Sequence, residues 1–259
     1  MAYQDSIFQK IAINEILVPG EIKVSRTSER KIIHATGKRE PYASFPGQAS
    51  ITGNIKFNLG EGLTDILDLV LSDENGAMQE VEIDDGNKLY TAYFTSATIT
   101  VPTLDVVEVS LDFIAKSTAV SNLPEGDPIL SNPFIGANIS LTGFPSTIDF
   151  ESIEIKITNS VSAKYTAKGT SRLPSHLAQG YMDIEVDIKF NEDTGIDILG
   201  SLSKVTTGTV VIKSANGLKT LTITMTNLLA GESPREVTKE DIVKYGLTYS
   251  AETIAFTVA

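Results

Sequence analysis

Three acidic residues alternate with apolar residues in the stretch "YMDIEVDIKFN" at positions 181–191. Asp183, Glu185 and Asp187 would supply the carboxylate oxygens that Ca²⁺ prefers as ligands. A calcium-binding loop also needs a glycine at its sharp turn, which this stretch lacks, and strict alternation predicts an extended strand. We therefore interpret the three carboxylates as one face of a strand, and we expect no metal site.

The other candidate chemical groups do not form a catalytic set. The chain has no Cys, which excludes thiolate nucleophiles, disulfides and cysteine-based zinc sites. Its two His, His34 and His176, are too few for a multi-histidine metal cage. Ser175 precedes His176 without a third triad member, and "GEGLTD" at 60–65 lacks the Lys and the spacing of a phosphate-binding loop. We expect neither enzymatic activity nor a bound cofactor.

The charge is strongly acidic and unevenly distributed. A formal net charge of -12 disfavours tight binding to nucleic acid and otherwise favours solubility. Residues 61–85 hold nine acids and no base, whereas residues 26–39 hold five bases and one acid. These segments are either complementary surfaces on different copies of the chain or two unrelated solvated faces. Without a secretory signal or a long apolar run, we expect a soluble protein made in a cytoplasm.

Two segments are predicted to form strands with one polar face. Apolar and polar residues alternate from 182 to 190, and the pattern recurs from 50 to 57. The polar positions are Ser50, Thr52, Asn54 and Lys56 in the first segment and Asp183, Glu185, Asp187 and Lys189 in the second. A third polar row, Thr220, Thr222 and Thr224, follows the turn signal Asn216-Gly217. Such faces contact either water or a cavity.

Turn and helix signals complete the pattern. Asp85-Gly86 and Asn216-Gly217 predict two-residue β-hairpin loops, in which both residues have positive φ. Residues 62–71 carry apolar side chains at helical spacing, and the corresponding stretch from Gly195 is similar. We therefore expect one short helix in each half of the chain.

The sequence contains an internal repeat. At a fixed offset of 133, residues 21–58 align with residues 154–191 without a gap, and 12 of the 38 positions are identical. "EIKV" aligns with "EIKI", Gly47 with Gly180, and "NIKFN" with "DIKFN". The two glycine turns follow in the same order, and "VEVSLDFIA" at 107–115 aligns with "VKYGLTYSA" at 243–251. The repeat predicts one domain duplicated within the chain.

We therefore predict a mainly β protein of two tandem domains. The first spans residues 1–118, the second spans 133–259, and a linker at 119–132 joins them. Each domain is expected to be a β-sandwich or half-barrel with one short flanking α-helix. Because the open edge of a sheet is a template for pairing, the two domains can pair edge to edge. If the arrangement repeats with a closing rotation, several chains form a ring with a polar inner wall.

Each half resembles the domain of tail tube proteins from tailed bacteriophages. The resemblance rests on element order: a strand ("EIKVS" or "EIKIT"), a long arm containing "GKREP" or "TSRLP", a strand ending in "IKFN", a helix, and a glycine hairpin followed by another strand. It covers about 200 residues and involves no chemical signature. It implies rings that stack into a hollow tube through which the genome passes. A fused pair of domains implies a trimer with pseudo-sixfold symmetry.

The resemblance also implies roles for specific surfaces. The arms would contact the neighbouring ring through Arg26, Arg30, Lys31, Lys38, Arg39 and Phe45 and, in the second half, through Lys164, Lys168 and Arg172. An acidic surface that receives an arm would comprise Glu61, Asp65, Asp68, Asp73 and Glu74. The polar rows Ser50 to Lys56, Asp183 to Lys189 and Thr220 to Thr224 would line the lumen. Partners would be further copies of the chain and the tape-measure, terminator and baseplate proteins, in a virion tail assembled in the host cytoplasm, with DNA passing unbound.

Two other functions remain open from the sequence. A tail terminator or baseplate adaptor protein of the same assembly would share this fold and also form rings. A two-module β-sandwich that binds carbohydrate or a cell surface is a different class. Such modules usually present exposed aromatic residues, but the chain has no Trp and its eight Tyr do not cluster.

Overall fold

The computed structural model describes residues 9–34, 36, 41–71, 76–128, 131–144, 150–165, 172–191, 205–231, 235–237 and 243–259. The strands are β1 (Gln9–Ile13), β2 (Ile16–His34), β3 (Pro41–Asn58), β4 (Val81–Asp84), β5 (Lys88–Pro102), β6 (Glu108–Val120), β7 (Phe134–Thr142), β8 (Phe150–Lys164), β9 (His176–Asn191), β10 (Val205–Ser214), β11 (Thr220–Ala230), β12 (Arg235–Val237), β13 (Val243–Ala251) and β14 (Thr253–Val258). One short helix in these ranges, α1, spans Asp65–Asp68. The fold is mainly β, as predicted, with 73% of the described residues in strands.

A single antiparallel sheet runs through both halves of the chain. Its strand order is β2-β3-β6-β5-β8-β9-β13-β11. The halves meet where β5 pairs with β8, from Ser96 opposite Thr158 to Pro102 opposite Ser152. The two halves were predicted to be able to pair edge to edge, and the structure contains this pairing as a seven-residue ladder.

The first half also closes on itself as a small barrel. β1 pairs with both β2 and β4, and β4 pairs with β5. Together with the β2–β3, β3–β6 and β6–β5 ladders, these pairings form a closed circuit of six strands. In the second half, β7, β10, β11 and β14 form a second layer of antiparallel strands.

The apolar face of the sheet forms the core. Strand side chains on this face are buried, among them Ile55, Leu111, Ile99, Ile155 and Ile188, and they form one contiguous cluster with the second layer. The helical spacing at 62–71 is only partly realised, because α1 has four residues within a longer series of turns. The apolar positions of this segment are nevertheless buried as the spacing predicts: Leu63, Ile66, Leu67 and Val70. The helix predicted from Gly195 lies outside the described residues.

The glycine turns form hairpins with longer loops than the two residues predicted. β4 ends at Asp84 and β5 begins at Lys88, while β10 ends at Ser214 and β11 begins at Thr220. Gly86 and Gly217 have φ of 80° and 71°, but the residue before each glycine does not have positive φ. Both turn residues of a type I′ hairpin need positive φ, so neither loop is of that type.

The segment between the halves is tied to the first half. The buried carboxylate of Asp84 accepts hydrogen bonds from the Ser121 hydroxyl at 2.7 Å and the Asn122 amide at 2.7 Å. Lys10 donates to the Gly126 carbonyl at 2.6 Å and lies 3.2 Å from the Asp127 carboxylate. The described residues of the predicted linker are thus fixed by side chains rather than left as a free tether.

The β2–β3 and β8–β9 hairpins contain the same bulge. The register shifts between Ser28 and Arg30 in the first hairpin and between Asn159 and Val161 in the second. A glycine lies opposite each bulge. A Cβ on Gly47 would lie 2.8 Å from the Glu29 Cβ, and one on Gly180 would lie 2.7 Å from the Ser160 Cβ. The two matching glycines in the sequence therefore meet the same steric requirement.

The positions of the two bulges show that the ungapped alignment of residues 21–58 with 154–191 does not match equivalent residues of β2 and β8. The offset of 133 relates β3 to β9, but Ser28 and Asn159 at the matching bulges differ by 131. β8 has therefore shifted by two residues against β9 relative to the predicted equivalence. Because side chains alternate with a period of two, a shift of two leaves every residue on its predicted face. The alternation of apolar and polar residues therefore predicted the correct face of the sheet for these strands, whereas the sequence offset of 133 was wrong for β2 and β8.

Gly53 is required for core packing in the middle of β3. A Cβ at this position would lie 2.3 Å from Cζ of the buried Phe113 ring and 2.8 Å from the Lys23 carbonyl oxygen. We expect Gly53→Ala to lower the free energy of unfolding by about 1–3 kcal/mol, because the ring has no space to move into. Urea denaturation followed by circular dichroism measures the change.

Gly231→Ala is the matched control. Its Cβ would meet only the Thr248 carbonyl oxygen, at 3.7 Å, so we expect a change within about 0.5 kcal/mol. Equal stability of Gly53→Ala and the unmodified protein would contradict the packing account.

Candidate functional site

The face of the sheet opposite the core is polar across both halves. One cross-strand row joins Lys23, Asn54, Asp112, Ser96, Thr158 and Asp183. A second row joins Glu21, Lys56, Ser110, Thr98, Lys156, Glu185 and Ser250, and a third joins Asn58, Glu108, Thr100, Glu154, Asp187 and Thr248. We call these three rows the polar face. It crosses the junction between β5 and β8 without interruption.

Hydrogen bonds and ion pairs link neighbouring strands along the polar face. The Asn54 amide donates to the Ser110 hydroxyl at 2.9 Å and to Asp112 at 2.7 Å. Ser96 donates to the other Asp112 oxygen at 2.7 Å, and Thr248 donates to Asp187. Lys56 lies 3.7 Å from Glu108. These polar groups thus bond to one another across the strands, which restrains their side chains.

The composition of the polar face disfavours binding to nucleic acid. Its rows hold seven carboxylates and three lysines, an excess of four negative charges. They contain neither Arg, which pairs with phosphate in a bidentate manner, nor an aromatic ring on which a base stacks. A polyanion beside this surface meets net repulsion and few fixed partners.

Eight predicted lumen residues lie on this side of the sheet. Asn54, Lys56, Asp183, Glu185 and Asp187 stand in the three rows. Ser50 and Thr52 extend the face along β3 toward the first arm, and Lys189 continues it at the other end of β9. The central strands β5, β6 and β8 supply further members that the sequence analysis missed, although "SATITVP" at 96–102 and "EVSLD" at 108–112 alternate in the same way.

The predicted threonine row lies elsewhere. Thr220, Thr222 and Thr224 face residues of β10 on one side, and Thr222 and Thr224 face β14 on the other. β11 reaches β13 only at Leu229 and Ala230, after Asn227 with a φ of 50°. Because the strand changes partners at this point, the structure does not bring the threonines into the rows that contain Asp183.

Both predicted arms are β-hairpins that extend the sheet. β2 and β3 remain paired to His34 and Pro41, and β8 and β9 remain paired to Lys164 and His176. Arg26, Arg30, Lys164 and Arg172 are exposed. The side chains of Lys31 and Phe45, and residues Lys38, Arg39 and Lys168, lie outside the described part of the structure.

The two arms contact one another within the chain. The Ala49 amide on the first arm donates to the Arg172 carbonyl on the second at 3.0 Å. The Tyr165 hydroxyl of the second arm donates to the Ala49 carbonyl at 3.3 Å. Ala49 directs both backbone groups at the second arm, so that arm covers the edge of β3 beyond its last pair with β6, Ile51 opposite Ala115.

The predicted acidic surface is divided among different environments. Asp65 and Asp68 are exposed on α1, Glu61 is half-buried, and Asp73 and Glu74 lie outside the described residues. Burial, with the nearby Asp65 carboxylate, raises the pKa of Asp68. A hydrogen bond from Lys116 lowers the pKa of Glu80, which is thus engaged within the chain. The described acids of 61–85 therefore do not form one surface.

Two amide side chains of β8 and β9 hold the loop after α1. The buried Asn159 amide donates to the Val70 carbonyl at 2.8 Å and to the Phe94 carbonyl at 3.2 Å. Gln179 accepts from the Met78 amide at 2.7 Å and donates to the Gly76 carbonyl at 2.8 Å. These bonds join the second half of the chain to the first just beyond the β5–β8 ladder.

The described residues offer no built ligand site. Among them, no group of three or more His, Asp and Glu side chains is arranged to hold a metal ion. No helix in the described ranges is both long and apolar enough to cross a membrane.

Comparisons with known proteins do not identify a family. No protein-family model matches the chain, and a search of curated proteins gave no significant match.

The Asn159 side chain stabilises the junction between the halves. We expect Asn159→Ala to lower the free energy of unfolding by about 1–3 kcal/mol, because it leaves the Val70 and Phe94 carbonyls without this donor. Thermal unfolding measured by calorimetry checks the value. Thr158→Ala, a change at the neighbouring residue on the polar face, is the control and should cost under about 1 kcal/mol. Equal effects of the two substitutions would contradict a specific role for Asn159.

Proposed function

We propose that the chain is a structural subunit of a hollow tube, the major tail tube protein of a tailed bacteriophage or related virus. The observation that carries the proposal is the continuous polar face of a sheet that spans both halves of the chain. One side of this sheet is apolar and covered by other parts of the chain. The other side is polar and uncovered. Closed around an axis, it becomes the wall of a water-filled channel.

The edges of the sheet support assembly into rings. The β5–β8 ladder joins the two halves. Beyond Gly20, the side of β2 away from β3 pairs with no described strand, and neither does the side of β12 away from β13. A head-to-tail contact between unlike edges forms a ring when its rotation closes. Three chains, each providing two sheet segments, would form a ring with pseudo-sixfold symmetry.

The repeated geometry supports descent of the halves from one domain. Both long hairpins have the same bulge with a glycine opposite it. The β3–β6 ladder places Asn58 opposite Glu108, and the β9–β13 ladder places Asn191 opposite Lys244. The sequence repeat aligns Asn58 with Asn191 and Glu108 with Lys244, so the two facing pairs occupy equivalent positions in the two halves. A duplicated domain is a natural unit for a ring in which all junctions are similar.

The surface chemistry supports passage of DNA without binding. An excess of carboxylates repels phosphate, and one of the lysines, Lys56, lies 3.7 Å from the Glu108 carboxylate. The arms project beyond the ends of the central strands and are therefore placed to contact an adjacent ring. Docking of basic arm residues on acidic surfaces such as Asp65 and Asp68 remains a proposal, as do the virion location and contacts with other tail proteins.

Electron microscopy of the purified protein tests this function. We expect rings with a central hole at high protein concentration, stacking into tubes. A protein that remains monomeric at all concentrations would contradict the proposal.

The arm residue Arg30 offers a related test of stacking. Arg30→Glu should leave rings intact and reduce tube length, since each ring boundary carries the change several times. Lys213→Glu, an exposed change on β10 outside both arms, is the matched control and should leave tube length unchanged. Normal tubes from Arg30→Glu would show that this residue does not contribute to stacking.

A further inference from the structure

The junction between the halves is a template for the junction between chains. At the internal junction, Ile99, Thr100 and Val101 of β5 face Ile155, Glu154 and Ile153 of β8. If β12 and β2 of different copies meet in the same way, the register of their contact follows from the equivalent residues. This inference rests on the proposed function, because it assumes that chains join through these edges.

The residues equivalent to β5 are found through the neighbouring ladders. Thr100 faces Glu108, and Glu108 faces Asn58 of β3. In the second half, Glu236 faces Lys244, and Lys244 faces Asn191 of β9. Glu236 therefore occupies the place of Thr100, and Val237 occupies the place of Val101.

The residues equivalent to β8 are found through the shared bulge. Asn159 matches Ser28, at an offset of 131. Glu154 therefore matches Lys23, and Ile153 matches Ile22. The offset of 133 from the sequence repeat would instead match Glu154 with Glu21, and would place two acids opposite one another.

Beyond Gly20, no described strand covers the outer edge of β2, and the burial of its apolar residues agrees with this. Ile153 and Ile155, which β5 covers, are 0% exposed. Ile22 and Val24, their equivalents in β2, are only partly buried. An added strand on this edge would bury them as β5 buries the isoleucines.

We propose that β12 of one copy pairs with β2 of a second copy in the register that places Glu236 opposite Lys23 and Val237 opposite Ile22. Opposite charges at facing positions stabilise a pair of antiparallel strands, and like charges destabilise it. The charge pair therefore selects this register over a shift of two residues, in which Glu236 would face Glu21. Lys23 belongs to the polar face, so this contact would stand on the channel wall.

Disulfide trapping tests the register directly, because the chain has no Cys of its own. Facing residues of antiparallel strands have Cα atoms about 4.5–5.5 Å apart, within the range that a disulfide spans. We expect oxidised Lys23→Cys/Glu236→Cys to give covalent oligomers on a denaturing gel. A mixture of the two single variants should give covalent dimers and nothing larger.

Two matched variants calibrate the trapping. Thr100→Cys/Glu154→Cys reproduces the template and should close within one chain, losing free thiols without a change in mass. Lys23→Cys/Lys213→Cys combines Lys23 with an exposed residue of β10 and should remain monomeric on the gel.

Charge reversal gives a second measurement. Lys23→Glu and Glu236→Lys should each raise the protein concentration needed for assembly about tenfold, because like charges then face one another. The double variant should restore it to within about threefold. If the double variant assembles no better than the single variants, the pairing of these charges is overturned.

The outcomes separate this inference from the proposed function. Rings in the microscope without a 23–236 disulfide overturn the register and leave the tube subunit standing. Covalent oligomers that form open chains without rings support the register and overturn the tube. Neither oligomers nor rings overturn both.

Discussion

The antiparallel ladder between β5 and β8 is the interaction on which the rest of the structure depends. It converts two similar halves into one sheet, and it does so through backbone groups that tolerate many side chains. Because the ladder uses one edge from each half, it leaves an unlike edge at each end. The continuity of the polar face, and the two sheet edges through which we propose assembly, both follow from this single pairing.

The sheet has two chemically distinct sides, which limits what the protein can do. Its apolar side is covered by α1 and the second layer of strands, and buried residues such as Ile66, Phe134 and Ile223 complete that core. Its polar side carries hydrogen bonds that run across the strands rather than outward, such as those from Asn54 and Ser96 to Asp112. A surface whose polar groups are satisfied laterally has few directed groups to hold a ligand, and this suits a wall better than a binding site.

Alternation in the sequence predicted the faces of β3 and β9 well, because burial imposes a period of two on any strand with one covered side. Apolar and polar residues also alternate in β5 and β6. The pattern is harder to recognise there, because the surrounding stretches are rich in threonine or mixed in apolar and polar composition. The register of β8 was not predictable from the repeat. Identical residues in "EIKV" and "EIKI" favoured an offset of 133, whereas the bulges at Ser28 and Asn159 set it at 131. The bend at Asn227, which takes the threonine row away from the polar face, likewise depends on tertiary pairing.

The central claim is that the polar face becomes the inner wall of an enclosed channel, and thiol labelling of assembled particles tests it most directly. Glu185→Cys places a thiol on the polar face, and Lys213→Cys places one on β10 in the second layer. In assembled particles a small maleimide should label both variants, while a maleimide on a bulky polymer should label only Lys213→Cys. Before assembly, both reagents should label both variants. Equal labelling of Glu185→Cys by the bulky reagent before and after assembly would contradict the account.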